Sequence, residues 1–217
     1  MTARAASDAP RIHRTALIET GVEIGARTAV WDHVHVRAPA QIGHDCIIGE
    51  KTYIAYGVTI GSFVKINAQV YICTAVQIED GVMVAAGVVF TNDRYPRAFG
   101  RDGSLATSAP TNDTLSTVVR RGGTVGAGSV IGPGLEIGAF AMVGMGAVVV
   151  HDVPAHGLVY GNPARLHGYV CVCGSPLAGF DVASGSGRSG TCVACGRGFT
   201  VAEDRHGRHP SFTNLPL

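Results

Sequence analysis

Large apolar residues recur at every sixth position of the chain. Counted from Ile18, each hexad opens on Ile18, Ile24, Val30, Val36, Ile42, Ile48, Ile54, Ile60, Ile66, Ile72, Ile78, Val84 and Phe90, thirteen matches in thirteen trials. The fifth positions are mostly small or β-branched: Val22, Thr28, Val34, Ala40, Cys46, Thr52, Val58, Val64, Val70, Val76, Val82 and Val88. A period of six is neither that of a helix nor that of a simple strand. The fifth position of one hexad and the first of the next are two residues apart, so they share a face in extended backbone. Short strands joined by bends, with the aliphatic residues inward, fit both facts. This predicts an all-β, hexapeptide parallel β-helix in which three hexads close a triangular coil of 18 residues, with coils stacked at ~4.8 Å by strand pairing. A β-sandwich would have to produce thirteen in-register matches by coincidence, and is disfavoured.

The pattern stops in the stretch FTNDRYPRA, Phe90 to Ala98, and returns at Val119, Val125, Ile131, Ile137, Val143 and Val149. From Phe90 to Val119 is 29 residues, not a multiple of six. A loop over 91–118 therefore leaves the solenoid, and loops of that length inside a compact domain are usually functional or disordered. The solenoid domain is assigned to 1–168 and a small C-terminal module with its tail to 169–217.

Composition changes the picture in three ways. The net charge of +1 argues for no nucleic-acid partner. Aromatic residues make up only 6% against 30 glycines, which suits thin repeated layers better than an ordinary packed core. No apolar run reads as a signal peptide and no stretch reaches transmembrane length, so a cytoplasmic protein without a membrane partner is expected. In that compartment six cysteines read as thiols or metal ligands rather than disulfides.

Eighteen-residue coils stack positions i and i+18. His33, Lys51, Gln69 and Gly87 then form one outward column, and His35, Tyr53, Tyr71 and Val89 another that leads up to Phe90 and the break. Cys46 falls on an inward fifth position, and Cys73 is expected to point outward near the break. Asn92 is the leading site candidate: its amide is no base, but it can position an amine or donate to a developing oxyanion. The plain alternative is a turn, since Asn-Asp before a proline is ordinary loop chemistry. His33 and His35 could accept a proton.

From about residue 11 to 166 the chain resembles the left-handed β-helix hexapeptide acyltransferases. The ending VVVHDVPAHGLVYGNPAR, Val148 to Arg165, looks like that family's terminal signature. More narrowly, GVVFTNDRYPRA, the KIN of Lys65 to Asn67 and QIEDGVMV at Gln77 to Val84 resemble the UDP-3-amino-sugar N-acetyltransferases, with dTDP-3-amino-sugar acetyltransferases as close relatives. The resemblance implies a left-handed turn and a homotrimer with acyl-CoA sites between subunits. It implies acetyl transfer from acetyl-CoA to a nucleotide-linked amino sugar, with Asn92 at the active site. His33 and His35 are the possible bases, although some members of the family need none.

By the same resemblance Lys65 would face a pyrophosphate or a uronate carboxylate. Asn67 stands where the family's pattern continues differently, and Tyr71, Asp93, Arg94 and Tyr95 are further acceptor-side candidates. The run RRGGTVGAGSVIGPG, Arg120 to Gly134, would supply the CoA channel. There Gly126 and Ala127 offer backbone N–H groups to the thioester carbonyl, and Gly144, Met145 and Val150 line later coils. Arg120, Arg121 and Arg165 are available for CoA phosphates.

Two cysteine pairs close the chain, Cys171-Val-Cys173-Gly and Cys192-Val-Ala-Cys195-Gly. Four thiolates in two knuckles suit a tetrahedral structural Zn²⁺, with reduced or redox-active thiols as the alternative. A closed four-cysteine site has no open position and is not expected to be catalytic. Two other functions fit the sequence less well. A γ-type carbonic anhydrase uses the same β-helix with histidines on Zn²⁺, but the His-x4-His spacing is absent, His33, His35 and His44 being two and nine apart. A non-catalytic trimeric scaffold leaves the FTND loop without a purpose.

Overall fold

A computed structural model describes residues 8–100, 102–106, 109–111, 114–177, 189–204 and 207–212. The expected parallel solenoid is there, built from strands of two or three residues. Its first coil contains Arg11–Ile12, Leu17–Ile18 and Glu23–Ile24, one strand on each of three faces. Below the excursion each strand pairs in parallel with the one 18 residues on, as Lys65 with Met83 and Tyr53 with Tyr71. Nine strands make the first face, seven the second and six the third, in about eight turns. The described residues contain no helix long and apolar enough to cross a membrane.

The core follows the hexads. Ile48, Ile54, Ile66, Ile72, Phe90, Ile131 and Ile137 are fully buried first positions, and Val34, Val58, Val64 and Val70 are buried fifth positions. Polar fifth positions are satisfied inside: the hydroxyls of Thr28, Thr52 and Ser129 donate to the carbonyls of Gly43, Asn67 and Gly144 at 2.7, 3.1 and 3.0 Å. The glycines after the large residues have a steric cause. A Cβ on Gly43 would lie 2.5 Å from the Gly61 carbonyl oxygen of the next coil, and one on Gly25 2.5 Å from the Gly43 carbonyl carbon. The column His33, Lys51, Gln69 and Gly87 turns the corner between first and second faces. All four are left-handed, with φ of 54°, 58°, 58° and 69°.

The excursion leaves after the strand Val89–Phe90 on the second face and rejoins at Thr117–Val119 on the third, so the strand resumes two residues before the expected loop end. Across it the pairing jumps from 18 to 41 residues, as between Val76 and Thr117, and then returns to 18 between Val118 and Glu136. The inserted length is therefore 41 − 18 = 23 residues. The lower and upper coils remain one stack with one core.

Past Val149 the first face ends in a hairpin of Gly157–Gly161 and Ala164–Tyr169. A three-stranded antiparallel sheet, Ser189–Thr191, Gly198–Asp204 and Gly207–Ser211, follows. Tyr169, Cys171, Leu177, Cys192 and Phe212 form a second, separate core cluster there.

Candidate active site

The second face carries the expected aromatic column. His35, Tyr53, Tyr71 and Val89 are in register. The Tyr53 and Tyr71 rings stack at 5.3 Å with planes 7° apart, and His35 meets Tyr53 edge-on at 5.4 Å. Tyr71, the last aromatic of the column, is 45% exposed, with Val89 in register above it. Below it, Glu19 accepts from the Ala38 N–H at 2.9 Å and pairs with Arg37, whose Nη1 donates to the Tyr53 hydroxyl at 3.2 Å. Arg37 also lies over the Tyr56 ring, 5.2 Å from its centroid.

The 18-residue step places Ala38, Tyr56, Thr74 and Asn92 in one column at the corner between second and third faces. A groove of about 650 Å³ runs along this corner, lined by Ala38, Pro39, Tyr56, Gly57, Thr74 and Ala75, with Ala109 and Pro110 of the excursion as its wall. Thr91 ties the start of the excursion to the next coil. Its N–H and its hydroxyl both donate to the Ile131 carbonyl at 3.0 Å, so Asn92 is the first residue released from the ladder. Asn92 is half-buried, whereas Asp93, Arg94 and Tyr95 are exposed. The excursion thus folds back over the corner it leaves. Thr91, Thr74 and Tyr56 were missed in the sequence; the same i+18 count that found the tyrosine column, applied to Asn92, leads to Thr74 and Tyr56.

Cys73 does not point outward as expected. It is 3% exposed, and burial pushes its thiol up to about 12, helped by the nearby Asp93 carboxylate. Burial, with Cys73, Tyr53, Tyr56 and Asp93 as lesser causes, also raises the Tyr71 phenol. Tyr71, Cys73 and Asp93 therefore share one neighbourhood beside Asn92. Cys46 is core, as expected, at 1% exposure.

The histidines stand elsewhere. His35 is three strands below Val89–Phe90 on the second face, ~14 Å along the stack at 4.8 Å per coil. His35 Nε2 contacts Glu19 at 3.3 Å, and His33 Nδ1 contacts Asp32 at 3.0 Å. Within one chain both histidines therefore lie coils below Asn92. His44 turns a different corner against Asp45 and Phe63. Among the described residues these three histidines form no metal-binding group.

The donor-side residues are distributed over several edges. Gly126, Ala127, Gly144 and Met145 turn the corner between first and second faces, the edge that also holds His33 and Asn67. The Gly126 N–H is not available to a thioester, because the ladder uses it on the Val143 carbonyl at 2.8 Å; the Gly144 N–H is likewise bonded to Val159 at 2.7 Å. The Ala127 and Met145 N–H groups, by contrast, have no partner among the described residues. Met145 is 82% exposed beside Ala127 in the next coil.

Arg120 is not available to a CoA phosphate either. It bridges Glu79 and Glu136, both at 2.8 Å, and stitches three coils of the third face together. Arg121 donates its N–H to Glu79 at 2.9 Å and lines a hollow of about 370 Å³ with Gln41, Thr59 and Asp80. Val150 and Arg165 are exposed on the last coil and the hairpin, and Lys65 is exposed on the first face. One chain therefore does not bring Lys65, Ala127 and Asn92 together.

The four terminal cysteines do converge. Their Sγ atoms all lie within 4.8 Å of one another, with Cys171 and Cys195 at 3.6 Å and Cys173 and Cys192 at 3.8 Å. The Ser175 hydroxyl and N–H donate to Cys173 Sγ and hold that thiol below its ordinary range. The N–H groups of Cys195 and Ala194 do the same for Cys192.

Among the described residues the solenoid has one long excursion, and it walls a groove at one edge. Residues 57–92 match the family described as bacterial transferase hexapeptide, six repeats. The chain is 38% identical over 176 residues to dTDP-3-amino-3,6-dideoxy-α-D-galactopyranose 3-N-acetyltransferase of Aneurinibacillus thermoaerophilus, covering 78% of this chain and 83% of that one. It is 30% identical over 159 residues to serine acetyltransferase 4 of Arabidopsis thaliana, covering 73% of this chain but 29% of that protein. Among solved structures, a mutant of AntD, an N-acyltransferase from Bacillus cereus in complex with dTDP and coenzyme A, superposes with TM-score 0.51. It is 18% identical and the match covers 74% of this chain and 80% of that one, a likeness of fold. The chain belongs to the left-handed β-helix, hexapeptide-repeat acyltransferases, and as an enzyme it is an acyltransferase.

Proposed function

We propose that the protein transfers the acetyl group of acetyl-CoA to the 3-amino group of a nucleotide-linked 3-amino sugar. The observation that carries this reading is the 38% identity over most of both chains to a dTDP-3-amino-sugar 3-N-acetyltransferase. The corner column of Tyr56, Thr74 and Asn92 supports it: the groove beside Tyr56 and Thr74 suits a sugar, and the half-buried Asn92 amide suits a neutral amine. The amine nitrogen attacks the thioester carbonyl carbon, the C–S bond breaks, and the amine proton passes to the departing CoA thiolate. Products are the N-acetyl sugar and free CoA. In this scheme Asn92 orients the amine, Tyr71 and Asp93 hold the sugar, and Arg94 and Tyr95 border it. The Ala127 N–H stabilises the oxyanion while Met145, Val150 and Arg165 guide the acyl-CoA. Holding both substrates in line supplies most of the rate.

The site is assembled between copies of the chain, in a homotrimer. The outward column of the second face is Leu17, His35, Tyr53, Tyr71, Val89, Val130 and Val148, against Glu23, Gln41, Thr59, Gln77, Val118 and Glu136 on the third. The apolar column supports burial of the second face against a neighbour, and the polar one supports a solvent face.

The test is mass spectrometry of the protein incubated with acetyl-CoA and a panel of dTDP- and UDP-linked amino sugars. The expected outcome is a gain of one acetyl group on a 3-amino sugar. Acetyl-CoA turnover on serine with none on any amino sugar would overturn the reading.

A further inference from the structure

We propose that Cys171, Cys173, Cys192 and Cys195 bind one structural Zn²⁺, and that this ion holds the C-terminal module as a cap clamped to the last coil through Phe212 and His156. The proposal stands apart from the acetyl-transfer reading, since none of these residues borders the groove or the Ala127 edge.

The sulfur geometry selects the ion. A tetrahedral Zn²⁺ with bonds of about 2.3 Å sets its sulfurs about 3.8 Å apart. The two closest pairs stand at 3.6 and 3.8 Å, and all four sulfurs fall within 4.8 Å. Disulfides would need about 2.0 Å, and all four cysteines are free. Four soft thiolates and no oxygen ligand exclude hard cations.

The backbone is built for the same purpose. Each knuckle is closed by a left-handed glycine whose N–H returns to the first cysteine's carbonyl: Gly174 to Cys171 and Gly196 to Cys192, both at 2.8 Å. The Cys173 N–H bonds to Cys171 Sγ, as the Cys195 N–H does to Cys192 Sγ, the outer-shell pattern that orients metal thiolates.

The clamp begins where the cluster is buried. Cys171 and Cys192 pack with Tyr169, Leu177 and Phe212 in a core of a handful of side chains, too small to hold itself closed. Phe212 contacts the His156 ring at 4.9 Å, and His156 stacks on Phe140 of the solenoid at 5.3 Å. The backbone seals the joint: the Val170 N–H donates to the His156 carbonyl at 2.7 Å, and His156 Nδ1 lies 3.1 Å from the Val170 carbonyl. Val170 is the residue before the first ligand. Fixing Cys171 on the metal therefore fixes the strand that binds His156 at the solenoid's last corner.

Two measurements test this. Metal content of the protein, purified without added metal or chelator, is read by plasma mass spectrometry. One zinc per chain is expected; iron instead, or no metal, overturns the assignment of the ion. Amide hydrogen exchange then compares the zinc form with protein stripped by a reversible mercurial and chelator. Val170 and Gly157 should exchange at least tenfold faster after stripping and recover when thiol and zinc are restored, while Gly61 and Asn67 stay unchanged. Unchanged exchange at Val170 after zinc loss overturns the clamp. Phe212→Ala provides a second route that keeps all four ligands. It should retain one zinc per chain yet speed exchange at Val170; retained zinc with full protection likewise overturns the clamp.

Discussion

His156 turns the solenoid's last corner at φ 61° with its ring 5% exposed between Phe140 and Phe212. Burial, with a smaller push from His209, lowers its pKa from 6.5 to about 4. A histidine kept neutral in the folded state favours folding above its unfolded pKa. That contribution, ~3 kcal/mol at 1.36 kcal/mol per unit, is lost as pH falls from about 6.5 to about 4. His156→Phe keeps the ring stack and removes the titration. Thermal unfolding midpoints measured from pH 7.5 to 4.5 should fall for the native chain and fall distinctly less for the variant. Equal slopes would mean that other groups carry the acid lability. At this scale much of the site was illegible in the sequence. Asn92 is marked by the break itself. Cys73 was misjudged because it packs into the core although it follows the inward Ile72, where the count expects an outward residue. Arg120 looked available because its partners, Glu79 and Glu136, lie 41 and 16 residues away, one of them across the insertion. Gly126 looked like an oxyanion donor because small residues advertise space and say nothing about where their N–H bonds go.

The elements were the legible part, and the reason is geometric. A side-chain period of six with inward first and fifth positions admits one register, so strands from Ile12 to Val149 fall where the count puts them. The glycines carry a second message that the count alone leaves mixed. Gly43 is required by contact, since an added Cβ would meet the Gly61 oxygen at 2.5 Å and the Ser62 hydroxyl at 2.6 Å. Gly57 is required only by its φ of 71°, with open space where a Cβ would go. Overpacking typically costs 1–3 kcal/mol, and a left-handed alanine ~1–2 kcal/mol. Gly43 sits between rigid coils that cannot give way locally. Gly43→Ala should therefore lower the unfolding midpoint more than Gly57→Ala does, in parallel thermal melts. The reverse order would show that adjacent coils slide apart more easily than a corner residue changes conformation.

At the scale of the whole molecule the difficulty is distance. Asn92 heads the corner between second and third faces, and the unpartnered Ala127 N–H stands at the corner between first and second. Two groups proposed to act together on two edges of one triangular rod meet most simply when a second rod brings its edge alongside. Closed threefold symmetry then makes three equivalent meeting places. Asn92→Ala deletes the acceptor-side amide, and Ala127→Pro deletes the donor-side N–H; each should keep the assembly and lose most turnover. Co-expressed in equal amounts, the two variants should regain activity. The proposed site needs Asn92 from one copy and Ala127 from its neighbour, which random mixing supplies at half times half of the interfaces. Steady-state turnover of the mixed assemblies should return to about a quarter of the native value. If each site belonged to a single chain, every chain in the mixture would carry one lesion and turnover would stay at the level of the separate variants. Recovery near a quarter thus distinguishes a site shared between copies from one contained in a single chain, without any knowledge of which sugar the groove accepts.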